Sequence, residues 1–382
     1  MPRTAPQARH LLWNDVGAQQ RDCLDELTAA WEAVTASTSY VDGPFVDRFE
    51  ADWADRCDRS HAVGVGNAGD AAALAFVALD VRPGDEIVVP ANAPESTAAA
   101  VAAVGAAPVF VDVHPDTLLA RPDLTEAAVG PRTVGVVVVD LYGQPVDVPA
   151  FEALTDRHDL FLLEDATHAP GARWLDRPTG SFGDVAIFGF PPDSNLGALG
   201  EAGILLTDDD DLARKVRRRA RRADRTADDP VRVGGEVRLE SRLDALQAAM
   251  LSTKLPWLDT WNAARRALAG RYRERLADTP ARLVTEAADA FGVHRVAAVR
   301  TPRRDDVRAA LTEAGIETRI PWSTPCHLLA PFAAQRRERL PVSEEAGGRL
   351  LALPLHPHLR DDDVDRVCAA LLEAIARARV AA

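Results

Sequence analysis

The sequence predicts an α/β protein: a large domain on a mainly parallel sheet flanked by helices, then a smaller C-terminal α+β domain. Three observations support this. Short, nearly continuous apolar runs alternate with helical stretches through the first two thirds of the 382 residues. Runs of that kind are strands buried on both faces, as in sheets whose crossovers are helices. After Ser241 the pattern turns to long helix and then to a mixed region.

In chain order, the turn VGNAGD leads into a helix over Ala71–Leu79, and GDEIVVP (Gly84–Pro90) is a short buried strand. A helix over Ser96–Val104 precedes APVFVDV (Ala107–Val113), and TVGVVVVDL (Thr133–Leu141) is the next strand. A helix over Val148–His158 links it to DLFLLED (Asp159–Asp165), and Gly183–Phe190 and Gly203–Thr207 complete the strands. Beyond Ser241 comes a long helix interrupted near Pro256, and DDDVDRVCAALLEAIARARV closes the chain as another helix. The predicted domains are 1–250, large, and 251–382, small.

Composition narrows the function classes. A net charge of −14 argues against a nucleic-acid partner, since phosphate backbones are drawn to basic surfaces. No run approaches the ~18 apolar residues that cross a bilayer. The first residues, MPRTAPQARHLLW, contain no apolar signal core, so a cytoplasmic location is expected. Cys23, Cys57, Cys326 and Cys368 are widely spaced and form no CxxC pair, which points to buried small hydrophobes. No His/Asp/Glu grouping has metal-ligand spacing. The run RKVRRRARRADR (Arg214–Arg225) follows acidic TDDDD, the polarity a solvated helix favours. The alternative is a rim that attracts an anionic substrate.

In doubly wound sheets, ligands sit at the carboxyl ends of the strands. The loops there are VGNAGD, PANAPEST, DLYGQP, EDATHAPGA and FPPDSNLGA. They supply Asn67, Asn92, Glu95, Tyr142, Ser194 and Asn195 as candidate substrate contacts for a small molecule, with His327 of PWSTPCHLL as a further one.

These segments, with GPFVDRFEADWADR, GSFGDVAIF, NLGALGEAG, SRLDALQAA and LPLHPHL, together resemble the DegT/StrS-type sugar aminotransferase family of fold type I pyridoxal-phosphate enzymes. The resemblance spans nearly the whole chain. It implies a homodimer with active sites shared between subunits, nucleotide-linked keto-sugars or cyclitols as the substrate class, and specialised-metabolite or polysaccharide pathways as the setting. It also places His327 near the pocket entrance.

The resemblance also exposes departures. The family pattern has the Schiff-base lysine immediately before Asn-Leu-Gly, where this chain has Ser194. A hydroxyl cannot form an imine and is too weak a base to stand in for the amine. Only two lysines exist, Lys215 and Lys254, and neither lies in a pocket loop. The family's Gly-Thr phosphate pair is Ala68-Gly69 here, and its phosphate-binding serine is Gly189. Pro94 replaces the ring-stacking aromatic, Glu240 the partner-lent asparagine, and His168 a glutamine. Each lost hydrogen bond to a charged group is worth about 1.5–3 kcal/mol. A carboxylate ~4 Å from a phosphate adds about 4 kcal/mol. The total, on the order of 10 kcal/mol, rivals the ~8 kcal/mol of a micromolar affinity.

Asp165 keeps the family position that pairs with the cofactor ring nitrogen. With His168, three residues on, and Glu240 from a second copy, it forms the predicted catalytic set. The expected function is cofactor-free acid–base chemistry, such as cyclisation, dehydration or epimerisation, on a small metabolite. Two alternatives stand beside it: a non-catalytic partner of an active enzyme, and a lysine-less enzyme that still uses pyridoxal or pyridoxamine phosphate.

Overall fold

The computed structural model describes residues 9–220, 240–335 and 338–380. Seven strands form the central sheet: β1 (His61–Val65), β2 (Glu86–Pro90), β3 (Ala107–Val111), β4 (Thr133–Val139), β5 (Phe161–Asp165), β8 (Val185–Gly189) and β9 (Gly203–Thr207). Two short strands, β6 (Arg173–Trp174) and β7 (Arg177–Pro178), intervene and pair with β11 (Ala290–Phe291) in a separate ribbon. The order across the large sheet is β1-β9-β8-β5-β4-β2-β3. Pairings from β3 through β8 are parallel, and β9 runs antiparallel to both of its neighbours.

The predicted large-sheet strands are all present: Gly203–Thr207 keeps its predicted bounds, and the others are trimmed where the chain leaves the ladder. The apolar helix Ala68–Ala78 is buried along most of its length against the sheet. Its start lies three residues earlier than the sequence suggests, because the Asn67 side chain caps it by accepting from the Asp70 amide at 2.9 Å. The strand β1 was not anticipated. Its five residues, HAVGV, include a glycine and precede the VGNAGD turn directly, so the segment carries little strand signal of its own.

The long helix after Ser241 divides as expected at Pro256, into Ala245–Lys254 and Leu258–Leu276 with a single 3-10 turn between. The antiparallel strands β10 (Arg282–Leu283), β12 (Ala297–Arg300) and β13 (Leu350–Leu353) form a small sheet. It packs with the closing helix Asp361–Val380 in a second core, which Leu11 joins through a bridge to Ile316.

The basic run begins in the helix Asp210–Ala220, where Lys215 pairs with Asp80 and Arg217 with Glu50. Its residues 221–225 lie outside the described residues. All four cysteines are buried and free. No described helix is long and apolar enough to cross a membrane.

Candidate active site

The parallel strands β4, β5 and β8 end at a common edge, and the loops that leave them bring the candidate residues together. Asp165 is the last residue of β5 and is 2% exposed. Its Oδ2 accepts from the Thr97 hydroxyl at 2.8 Å, and its Oδ1 from the Thr167 amide at 3.2 Å. Burial raises the carboxyl above its ordinary range, and the bonds from Thr167 and Thr97 hold it partly back. Two further carboxyls, Asp140 and Glu164, are fully buried nearby: Asp140 Oδ1 accepts from the Val146 amide at 3.0 Å, and Glu164 from the Gly180 and Phe182 amides.

His168 sits on the loop after β5, and its Nδ1 accepts from the Tyr142 amide at 3.4 Å. Its ring lies 5.4 Å from that of Trp322, which also meets Tyr142 at 5.7 Å. Burial, and then the nearby Arg295 charge, push His168 well below the usual imidazole range. It is therefore a neutral imidazole with Nδ1 as acceptor and the proton on Nε2. Asp165 and His168 share no hydrogen bond: each is held by separate partners. Sequence proximity alone does not make them a dyad. The expected third member, Glu240, is exposed and bonded by Arg242 at 3.2 Å. Among the described residues it has no hydrogen bond to Asp165 or His168, and it stands in the surface segment before the helix Ala245–Lys254.

The loop after β8 turns back on itself, with the Ser194 amide donating to the Pro191 carbonyl at 2.9 Å. Ser194 is 1% exposed, and its hydroxyl has no hydrogen-bond partner. Asn195 is anchored: its Nδ2 donates to Asn262 Oδ1 at 2.8 Å and to the Val293 carbonyl at 3.0 Å. Neither lysine supplies an amine here. Lys215 Nζ donates to the Ala78 carbonyl and Asp80, and Lys254 Nζ to the Gly197 carbonyl at 2.6 Å.

Of the other predicted contacts, Asn67 is occupied as a helix cap, and Asn92 Nδ2 donates to the Leu118 carbonyl at 2.7 Å. Glu95 is exposed at the start of the helix Glu95–Ala103. Tyr142 is buried with φ at 63°, a left-handed backbone that bulky residues seldom adopt. Such outliers concentrate where a loop is shaped for a purpose. His327 is buried beside Glu344, with its ring 6.5 Å from Phe110.

At the edge where β8 ends, Thr167 accepts from the Gly189 amide at 3.0 Å, and Gly189 faces Ala68. Sequence reasoning missed Thr97, Thr167, Trp322 and Arg295. The two threonines could have been found, since they lie within the PANAPEST and EDATHAPGA loops. Arg295 and Trp322 come from distant segments whose approach no spacing announces. Among the described residues, no group of His, Cys, Asp and Glu could hold a metal ion.

A mainly parallel seven-stranded sheet with one antiparallel strand, followed by a smaller unit, is the architecture of the fold type I aminotransferases. The chain belongs to the DegT/DnrJ/EryC1/StrS aminotransferase family, whose model matches residues 22–372. It is 38% identical over 362 residues to a dTDP-3-amino-3,4,6-trideoxy-alpha-D-glucose transaminase of Streptomyces venezuelae, covering 94% of each chain. It is also 38% identical over 361 residues to the erythromycin biosynthesis sensory transduction protein EryC1 of Saccharopolyspora erythraea, covering 94% of this chain and 97% of that one. Among solved structures, S. venezuelae DesV in complex with a ketimine intermediate superposes with a TM-score of 0.90 at 37% identity, over 96% of this chain and 98% of that one.

Proposed function

We propose that this chain processes a nucleotide-linked sugar at the Asp165 cleft without a Schiff-base lysine, holding any pyridoxal or pyridoxamine phosphate it uses as an exchangeable, non-covalent ligand. One observation carries this reading. The position before Asn-Leu-Gly is a buried serine, and both lysine amines are engaged, Lys215 by the Ala78 carbonyl and Asp80 and Lys254 by the Gly197 carbonyl. The substrate class follows from relatives such as the dTDP-sugar transaminase of S. venezuelae.

The residues present do not fit a covalently attached cofactor, and they fit an unattached one in part. Asp165, positioned by Thr97 and Thr167, would hold the ring nitrogen. The first amides of the helix Ala68–Ala78, at Ala68 and Gly69, would face the phosphate. When bound, such a cofactor would supply an electron sink for the substrate's reacting carbon. The protein's own contributions are distinct from that. Burial raises Asp165 above its ordinary range, and Thr97 and Thr167 fix both of its oxygens within the cleft. The neutral His168 offers its Nε2–H as a donor, and Trp322 and Tyr142 restrict water around that ring. A second copy of the chain is part of this proposal, because Glu240 could act on the cleft only from a neighbouring subunit.

A second reading, cofactor-free acid–base chemistry by Asp165 and His168, is favoured by the phosphate end. There Ala68 and Gly189 stand face to face and neither carries a hydroxyl.

The test is a titration of cofactor-stripped protein with pyridoxal phosphate and pyridoxamine phosphate, followed by calorimetry and absorbance. Saturable binding with no imine band is the expected result. An imine band would overturn the lysine-free reading. No binding at millimolar cofactor would reject the non-covalent cofactor in favour of the second reading.

A further inference from the structure

We propose that Arg265 and Arg295, with the hydroxyl of Ser194, form a binding site for a small carboxylate anion. Three segments converge there. Asn195 ties the Ser194 loop to Asn262 at 2.8 Å, and Arg265 follows Asn262 by three residues on the same helix, hence on the same face. Asn195 also donates to the Val293 carbonyl at 3.0 Å, which draws the Val293–Arg295 segment against the loop. Asp193, the neighbour of Ser194, closes the arrangement by accepting from Arg295 Nη2 at 3.0 Å.

The donors at this junction outnumber their acceptors. Arg265 is 1% exposed and gives one bond, from Nη1 to the Leu355 carbonyl at 2.6 Å, while its Nε and Nη2 have no partner. Arg295 is 9% exposed, and its Nη1 has no partner. The Ser194 hydroxyl is likewise unpartnered and buried. Unpaired buried charge is among the costliest features a fold can keep. Two guanidinium groups meet one carboxylate here, so one positive charge is unmatched. The nearby His356 does not add to it, since burial and Arg265 push that imidazole down to about 4.

A carboxylate suits the site for two reasons. Its single charge cancels the excess, and its planar pair of oxygens matches the fork of a guanidinium. A phosphate dianion would overshoot the charge. Asp193 is partly exposed and marks the side from which an anion can enter. The inference goes beyond the sugar-processing reading and stands without it, because the test needs neither cofactor nor sugar.

The experiment is calorimetric titration of the full chain with acetate at constant ionic strength, with chloride and inorganic phosphate as comparators. Acetate is expected to bind saturably and to raise the melting temperature. Arg295→Gln should weaken it by about tenfold or more, the scale of a charged hydrogen bond. Ser194→Ala, which removes one neutral donor and tests the site without touching either arginine, should weaken it by less. Equal acetate binding in the parent and in both variants would overturn the proposal. So would an equal response to all three anions, which would indicate a general ionic effect, or the absence of any acetate binding.

Discussion

The Cβ of Ala68 lies 3.0 Å from where a Cβ on Gly189 would stand, with Thr167 Cγ2 at 3.4 Å on the other side. Residues 68 and 189 are therefore sterically linked: the Ala68 methyl takes room that a side chain at residue 189 would need. Gly189→Ser alone should destabilise the protein by about 1–3 kcal/mol through overpacking. Ala68→Gly together with Gly189→Ser should recover that loss and bind pyridoxamine phosphate more tightly than the parent. Thermal melts and cofactor titration of the single and double variants check this. A single variant as stable as the parent would sink the coupling.

The buried carboxyls of Asp140 and Glu164 give a second prediction. Burial raises Asp140 well above its ordinary value and Glu164 to about 7. Glu164 also accepts from the Gly180 amide at 2.9 Å and from the Phe182 amide at 3.2 Å. Between the ordinary value of 4.5 and about 7, the folded protein holds a proton that the unfolded chain has released. The Glu164 contribution to stability is therefore full below 4.5 and declines as pH rises to about 7. His168, His294 and His356, all lowered by burial, act in the opposite direction over part of this range. The signature is thus the difference between parent and Glu164→Gln, whose amide oxygen can still accept from Gly180. Denaturant melts from pH 4 to 8 should show that difference shifting towards the variant as pH rises.

Lys254 supplies a third prediction. Burial lowers it to about 8 from an ordinary 10.5, while its amine donates to Gly197 in the loop that carries Ser194. From about 8 to 10.5 the unfolded chain keeps a proton that the folded one has lost, so this group adds stability as pH rises through that window. The buried thiols of Cys23 and Cys326, raised by burial, work against it. Comparing the parent with Lys254→Met isolates the amine. The parent should gain on the variant between pH 8 and 10.5, and a constant difference would refute the assignment.

The sequence by itself determined six of the seven strands of the large sheet, the division of the long helix at Pro256, the buried thiols and the family. Each rests on a local signal, such as an apolar run, a proline or an ordered set of loop motifs, that keeps its meaning wherever the segment lies. It also displayed the serine before Asn-Leu-Gly and the scarcity of lysines, both of which are properties of composition. Only the tertiary structure decided who meets whom. It gave both oxygens of Asp165 to Thr97 and Thr167, turned His168 to the Tyr142 amide, and left Glu240 on the surface. It also gathered Arg265 and Arg295 beside Ser194 from segments about 70 and 100 residues further along. The reason is physical: a hydrogen bond or a charge contact depends on distances of a few ångströms, and those are set by the packing of elements far apart in the chain.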